Sequence, residues 1–229
     1  SAASDVYKRQ LEYFLEKYGL DCAIINVRSV IWRRNFACIK GSDSKGRRVR
    51  ILIWDYSEKN SISTGSNYYV CGLREKYSSR DFVEFYSSGN KIALFPYEKE
   101  SQIVSQPLYK PSDELPEEAR DISLSGYLLA LNPVKFPKVF IGDERDYLSF
   151  TIVCEELLPE IASTPLGAEI LVEGLDIIRG SRGRIIRVGR CGSIKALKLD
   201  TPSSWSFRKT YIIEGDGACV LEGAVISIY

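Results

Sequence analysis

The chain has 229 residues, of which 45% are hydrophobic and 27% charged, and its 31 basic and 30 acidic side chains give a net charge of +1. These values are typical of a globular protein with one or two domains. The net charge is so close to zero that overall basicity does not identify a partner. Histidine is absent, which excludes histidine-based metal sites and the Ser-His-Asp and Cys-His nucleophile pairs, so we expect a protein that is not an enzyme.

Two further features of the composition concern compartment and cofactors. No apolar run approaches the roughly 18 residues of a membrane span, and we find no signal peptide, so we expect a cytoplasmic protein. The spacing of the cysteines excludes a C-x2-C or C-x4-C zinc site, and we expect no cofactor or metal. We expect buried reduced thiols, with a disulfide framework as the alternative, at positions 22, 38, 71, 154, 191 and 219.

The first ten residues, SAASDVYKRQ, match in every codon the in-frame translation of an adapter from transposon-based sequencing libraries. We therefore interpret residues 1–10 as a sequencing scar on a fragment of metagenomic origin, the alternative being a short natural helical start. A short helix is expected over Leu11–Tyr18, before the first strand.

Next along the chain, two segments about 100 residues apart carry one pattern. Gly65–Leu73 and Gly167–Leu175 both read G-x4-V-x-G-L. In each copy a third strand ends in an acidic residue, Asp55 or Glu155, at what we take to be equivalent positions. The two halves therefore look like copies of one domain.

Each copy is expected to contain five strands. In the first copy they cover residues 22–33, 36–41, 47–54, 67–75 and 82–95, and in the second 122–131, 138–142, 147–154, 168–178 and 184–196, with a short helix at Leu157–Ala162. Five short strands with a helix between the third and fourth fit the OB-fold, a small Greek-key barrel, and a β-sandwich is the alternative.

The expected organisation is therefore all-β, with two tandem OB-folds and the start of a third. We assign residues 11–97 to the first OB-fold, the proline-rich and acidic segment 98–120 to a linker, and 121–200 to the second OB-fold. Residues 201–229 are expected to hold a linker and the first strand of a truncated third OB-fold, the alternative being a terminal strand that completes an earlier sheet.

An OB barrel binds oligonucleotides across strands two and three, between the loops that join strands one to two and four to five, with cations for phosphates and aromatic rings for bases. Alternation along Arg48–Ile51 places the arginines on one face of the strand and the aliphatic residues on the other. Of the aromatic residues, we expect Trp54 and Phe150 to be the most buried in the cores. The candidate nucleic-acid-binding residues are Trp32, Arg33, Arg34, Phe36, Lys40, Arg48, Arg50, Trp54, Lys76 and Tyr77 in the first copy, and Lys135, Phe136, Lys138, Arg179, Arg182, Arg184 and Arg187 in the second.

At these residues the chain resembles the large subunit of archaeal replication protein A, a family of tandem OB-fold single-stranded DNA-binding proteins. The resemblance rests on ILIWD at 51–55, the two G-x4-V-x-G-L motifs, IIRVGRCGSI at 185–194 and VLEGAVISIY at 220–229. The resemblance implies that Trp32, Phe36, Trp54 and Phe136 stack on bases. It also implies nucleoid-associated DNA binding in replication, repair and recombination. The implied partners are other replication or repair proteins or further subunits, and no membrane is involved.

Two features depart from the family. The zinc ribbon that many members carry is not visible in the sequence, and the segment Val139–Asp146 is acidic. An RNA- or tRNA-binding OB-fold protein and an OB-fold protein-interaction scaffold are the alternative functions.

Overall fold

A computed structural model describes residues 13, 21–56, 62–97, 104–132, 136–181 and 183–199. The chain divides into two compact units, Ser1–Gln106 and Pro107–Tyr229. The proposed sequencing scar and the proposed start of a third OB-fold lie outside the described residues, as does all of Leu11–Tyr18 except Tyr13, which is helical. Within the described part of the chain, no helix is long and apolar enough to cross a membrane.

The first unit is a five-stranded barrel with one additional strand. Its strands are β1 (Asp21–Arg33), β2 (Phe36–Asp43), β3 (Arg48–Trp54), β4 (Asn67–Ser78), β5 (Phe82–Ser88) and β6 (Ala93–Tyr97). The order β1-β2-β3-β5-β4 closes through pairing of β4 with β1, and β3 runs parallel to β5. The fifth strand, expected over 82–95, is interrupted after Ser88, and β6 pairs with the first half of β4.

The second unit repeats this topology. Its strands are β7 (Leu108–Tyr109), β8 (Ala119–Asn132), β9 (Lys138–Gly142), β10 (Tyr147–Ile152), β11 (Glu169–Gly180) and β12 (Gly183–Lys198). The order β8-β9-β10-β12-β11 closes through pairing of β11 with β8, and β10 is parallel to β12. The expected short helix is present as a 3-10 turn, Glu155–Leu157, followed by α1 (Leu158–Ala162). The prediction of two tandem OB-folds is confirmed.

The repeated G-x4-V-x-G-L motif has the same geometry in both barrels. The first glycine of the motif has positive φ in both copies, 80° at Gly65 and 84° at Gly167. The N–H of Gly65 donates to the carbonyl of Val27 and that of Gly167 to the carbonyl of Leu128, both at 2.7 Å and both on the first barrel strand. Its second glycine, Gly72 or Gly174, also has positive φ and lies at a break in strand register, as expected for a bulge that bends the strand around a barrel.

Each barrel has its own apolar interior. In the first, Ile25, Val49, Ile51 and Ile53 are fully buried, which follows from their period-2 spacing on strands closed into a barrel. In the second, Phe150 is buried as expected. The prediction for Trp54 is wrong, because this side chain lies half-buried on the outer face of β3.

The prediction of reduced thiols is wrong for four described cysteines, because Cys22, Cys38, Cys71 and Cys191 are disulfide-bonded. Cys22 and Cys71 are direct cross-strand partners in β1 and β4 and form a disulfide. Their Cα atoms lie 4.1 Å apart because antiparallel pairing brings non-consecutive strands together, which residue spacing cannot show. Cys154 is a free, buried thiol.

Two other interpretations of the sequence differ from what the structure shows. Asp55 follows β3 directly, whereas Glu155 lies three residues beyond the end of β10 in the 3-10 turn, so the two acidic residues are not equivalent. Part of the segment assigned as a linker belongs to the second unit, because β7 pairs with β8 and Leu115 packs in the second core.

Candidate nucleic-acid interface

The outer face of β2 and β3 in the first barrel carries the basic and aromatic residues that the sequence places there. Cross-strand pairing joins Phe36 to Trp54 and Lys40 to Arg50, while the intervening residues Ile51 and Ile53 point into the core. The predicted alternation of charged and aliphatic faces on β3 is therefore correct.

This face is nevertheless buried. Every residue of β2 is buried, and Phe36, Lys40, Arg48 and Arg50 are at most 6% exposed. These four side chains therefore do not form the solvent-accessible groove that we predicted. The sequence misses this because alternation distinguishes the two faces of a strand but not which of them meets water.

Acidic residues further along the sheet neutralise two of the buried cations. Arg50 forms an ion pair with Glu84 on β5, and Lys76 Nζ lies 2.7 Å from the other carboxylate oxygen of Glu84. Burial alone would raise the pKa of Glu84, but the charges and hydrogen bonds of Arg50 and Lys76 outweigh it and hold that pKa below its usual range. Arg48 is paired with Asp81 at 2.9 Å.

The aromatic side chains of this barrel pack on one another. Trp32 stacks on Tyr56 with ring centroids 5.7 Å apart and 14° between the planes, and both pack against the core. Phe36 and Trp54 are 5.6 Å apart and tilted by 57°. Packing on each other and against the core explains why Trp32 and Tyr56 are half-buried.

The seventeen predicted contact residues fall into four groups. Those exposed are Arg34, Lys76, Phe136, Lys138, Arg179 and Arg184; those half-buried are Trp32, Arg33, Trp54, Tyr77 and Arg187; those buried are Phe36, Lys40, Arg48 and Arg50; Lys135 and Arg182 lie outside the described residues.

The corresponding face of the second barrel is exposed at one end, where Lys138 is exposed and Thr151 and Arg187 are half-buried, whereas Phe140 further along β9 is buried. Lys138 on β9 pairs with Thr151 on β10, and Thr151 pairs with Arg187 on β12, which makes one row across three strands. Directly paired residues share a face, and this is the outer one because the neighbours Phe150, Ile152 and Val188 are in the core. Two cations therefore lie on the outer face, near the end of β9 that follows the β8–β9 loop.

Apolar side chains are exposed beside this row. Phe136, in the segment leading into β9, is 59% exposed; Val153, one residue past the end of β10, is 46% exposed; and Ile185, two residues before Arg187 on β12, is 44% exposed. We call these three residues with Lys138 and Arg187 the second-barrel patch. It combines a flat ring, aliphatic surface and positive charge, as single-stranded nucleic-acid sites do.

Two acidic groups of this barrel, Asp176 and Asp143, are engaged in other hydrogen bonds. Asp176, opposite Arg187 on β11, accepts hydrogen bonds from Arg120 Nη1 and from the backbone N–H of Asp121, both at 3.2 Å. Asp143 lies in the β9–β10 turn, at the opposite end of β9 from Lys138. Its carboxylate accepts hydrogen bonds from the backbone N–H groups of Ser112, Arg145 and Asp146. The acidity of Val139–Asp146 is thus concentrated away from the patch.

The predicted basic β11–β12 hairpin is partly structural. Arg179 pairs with Arg184 near its tip, and Arg184 Nη1 donates at 3.0 Å to the carbonyl of Leu115. Arg184 therefore fixes the segment before β8. Val153 and Ile185 are not among the residues predicted from the sequence, although outward alternation of Ile185 with Arg187 in IIRV is a signal that could have revealed Ile185.

In the described residues, no cluster of three or more cysteine, aspartate or glutamate side chains has metal-binding geometry.

No family model and no curated protein matches this chain. Several solved structures are similar to it. One titled as an Ifi202 HINa domain in complex with 20-base-pair double-stranded DNA is 12% identical, with a TM-score of 0.55, and the match covers 79% of this chain and 98% of that one. A murine DNA-binding protein bound with double-stranded DNA is 10% identical, with a TM-score of 0.52, covering 78% and 99%.

A replication protein A heterotrimer bound to single-stranded DNA is 10% identical with a TM-score of 0.41, and the match covers 80% of this chain but 49% of that one, a likeness too weak to carry an argument. The stronger likenesses extend over nearly the whole length of the HINa and murine chains. They show that this chain shares the OB-barrel fold of those two chains.

Proposed function

We propose that this chain binds single-stranded DNA through the second-barrel patch. The observation that carries the proposal is the row of Lys138, Thr151 and Arg187 with Phe136 and Ile185 exposed beside it. Cations bind backbone phosphates, and an exposed ring provides a surface on which an unpaired base stacks, at roughly 1 to 3 kcal/mol per base.

The exposed apolar groups favour a single strand over a duplex. Three large apolar side chains left in water beside two cations indicate a partner that covers them. Unpaired bases present flat apolar faces, whereas a duplex offers phosphates outside and stacks its bases within.

We further propose that the chain acts by binding without chemistry, coating exposed strands in replication, repair or recombination in the manner of archaeal replication protein A, to which its motifs are similar. This role places it in the cytoplasm with the nucleoid. A disulfide such as Cys22–Cys71 is rare in cytosolic proteins of mesophiles but common in intracellular proteins of hyperthermophiles.

Duplex DNA is the second candidate ligand, because two similar structures of the same fold were determined with double-stranded DNA. A duplex ligand would use the cations of the patch and leave Phe136 with a minor role. Titration of both kinds of DNA against the same variants therefore separates the two candidates.

The test measures fluorescence anisotropy of labelled oligo-dT with the full chain, against oligo-U and a DNA duplex. Phe136→Ala should weaken oligo-dT binding about tenfold, since it removes one stacked base. Arg145→Gln, which removes an exposed cation at the other end of β9, is the matched control and should leave affinity within about twofold.

Tighter binding of duplex than of oligo-dT would favour the second candidate, and a preference for oligo-U would indicate an RNA-binding protein. Absence of binding to every nucleic acid at low salt, in protein shown by circular dichroism to be folded, would overturn the proposal and favour a protein-interaction scaffold.

A further inference from the structure

The first barrel has an exposed basic and aromatic surface on its outer face at β4 and β5, away from the buried face of β2. Arg74 on β4 is exposed and pairs directly with Tyr86 on β5, whose side chain is 38% exposed. The side chain of Lys76 is 60% exposed and reaches across to Glu84. We call Arg74, Lys76 and Tyr86 the β4–β5 strip.

Strand register places these groups on one face. Tyr86 pairs with Leu52 of β3, between the inward-pointing Ile51 and Ile53, so Tyr86 and its partner Arg74 point outward. Lys76 lies at a register shift of β4 and contacts the outward-pointing Glu84. Glu75 pairs with Phe85, a core residue, and so is directed to the other side of the strand from Arg74.

Two acidic groups near the strip, Glu84 and Asp81, are already engaged by buried guanidinium groups. Glu84 is shared by Arg50 and Lys76, so this group of three carries a net positive charge. Asp81 is paired with Arg48. Arg74 adds a further exposed cation, and Arg80, in the turn after β4, adds another. The strip therefore has a positive potential that suits a polyanion.

A packed cluster supports the strip from β3 and β5. The guanidinium carbons of Arg50 and Arg48 lie 5.3 and 5.8 Å from the ring centroid of Phe82, and the ring of Tyr77 is 6.2 Å from Phe82. These contacts fix Arg50, and Arg50 fixes Glu84, which in turn orients Lys76. Positions held in this way give a bound strand a surface that is already arranged.

We propose that the β4–β5 strip is a second contact surface for single-stranded nucleic acid, in which Tyr86 stacks on one base and Arg74 and Lys76 bind the adjacent phosphates. This inference rests on the proposed function, since it assumes the same ligand. It assigns the first barrel a binding surface on β4 and β5 in place of the buried face of β2 and β3.

The test uses the full chain with Phe136→Ala and Arg187→Gln, which disable the second-barrel patch. In this background, residual oligo-dT binding measured by anisotropy at low salt should fall at least fivefold with Tyr86→Leu. Tyr86→Phe, which retains the ring, should bind as the background does. Arg74→Gln should also weaken binding and lessen its salt dependence.

A second readout is direct. Irradiation of wild-type protein with an oligonucleotide containing 5-iododeoxyuridine, followed by peptide mass spectrometry, should give a cross-linked peptide that contains Tyr86. Equal binding by the Leu and Phe variants, with cross-links confined to the second barrel, would overturn this inference and leave the proposed function in place. Wild-type protein that binds no oligonucleotide would overturn both.

Discussion

At the scale of single residues, Glu84 is a buried carboxylate held between two cations of the first barrel. Its carboxylate is buried and accepts hydrogen bonds from Arg50 and Lys76. Because its folded-state pKa is lowered, ionised Glu84 stabilises the fold above the unfolded pKa of about 4.3, and this contribution is lost as the pH falls through the lower folded-state value.

Glu84→Gln should therefore destabilise the protein at pH 7 by about 3 kcal/mol, because Arg50 would remain buried without its counter-charge. The variant should also lose part of the stability difference between pH 7 and pH 3. Urea denaturation at both pH values measures this effect. Glu75→Gln, on the neighbouring exposed position of β4, is the control and should change stability by less than about 0.5 kcal/mol.

The two glycines of the first motif give a matched pair. Both have positive φ, but a Cβ at Gly65 would meet nothing within 4 Å, whereas one at Gly72 would lie 1.9 Å from the carbonyl oxygen of Lys91. Gly65→Ala should cost about 1 kcal/mol of backbone strain.

Gly72→Ala should cost more than about 3 kcal/mol, because the backbone before β6 must also move. Thermal denaturation of both variants provides the comparison. Equal destabilisation would show that positive φ alone explains why the motif has glycine at both positions.

At the scale of elements, the disulfide between Cys22 and Cys71 joins β1 to the first half of β4, where the barrel closes. In the chain-entropy account, closing a loop of this length stabilises a fold by about 4 kcal/mol. The second barrel has Ser123 paired with Glu173 in the corresponding strands.

Peptide mapping of unreduced protein should therefore recover Cys22 and Cys71 in one linked pair. The double variant Cys22→Ser, Cys71→Ser should unfold at a lower urea concentration than wild type. Recovery of both residues as alkylated thiols from native protein would contradict the pairing.

The strands also show why their positions could be predicted from the sequence and why the exposure of their side chains could not. Period-2 alternation and turn residues gave most strands within a few residues of their observed ends, from β1 to β12. The interruption between β5 and β6 was missed because Ser88 and Gly89 were read as part of one long strand. Their backbone hydrogen bonds to Ile92 and Trp54 show the turn.

At the scale of the whole molecule, single-strand binding should depend on salt in proportion to the phosphates contacted. Each contact contributes about −0.7 to the slope of log K against log salt concentration. Arg187→Gln should reduce the magnitude of that slope by about this amount. Arg145→Gln should leave it unchanged, and equal slopes for both variants would show that Arg187 contacts no phosphate.

The sequence alone determined the repeated domain, the strand order along the chain, the inward and outward faces of β3, and the clusters of cationic and aromatic residues, because each of these follows from local periodicity and composition. Only the tertiary structure decided which cluster is accessible. Burial of Lys40, Arg48 and Arg50 on the outer face, exposure of Phe136 and Ile185, and the Cys22–Cys71 pair all depend on how residues distant in sequence pack together, and local periodicity carries no information on that packing.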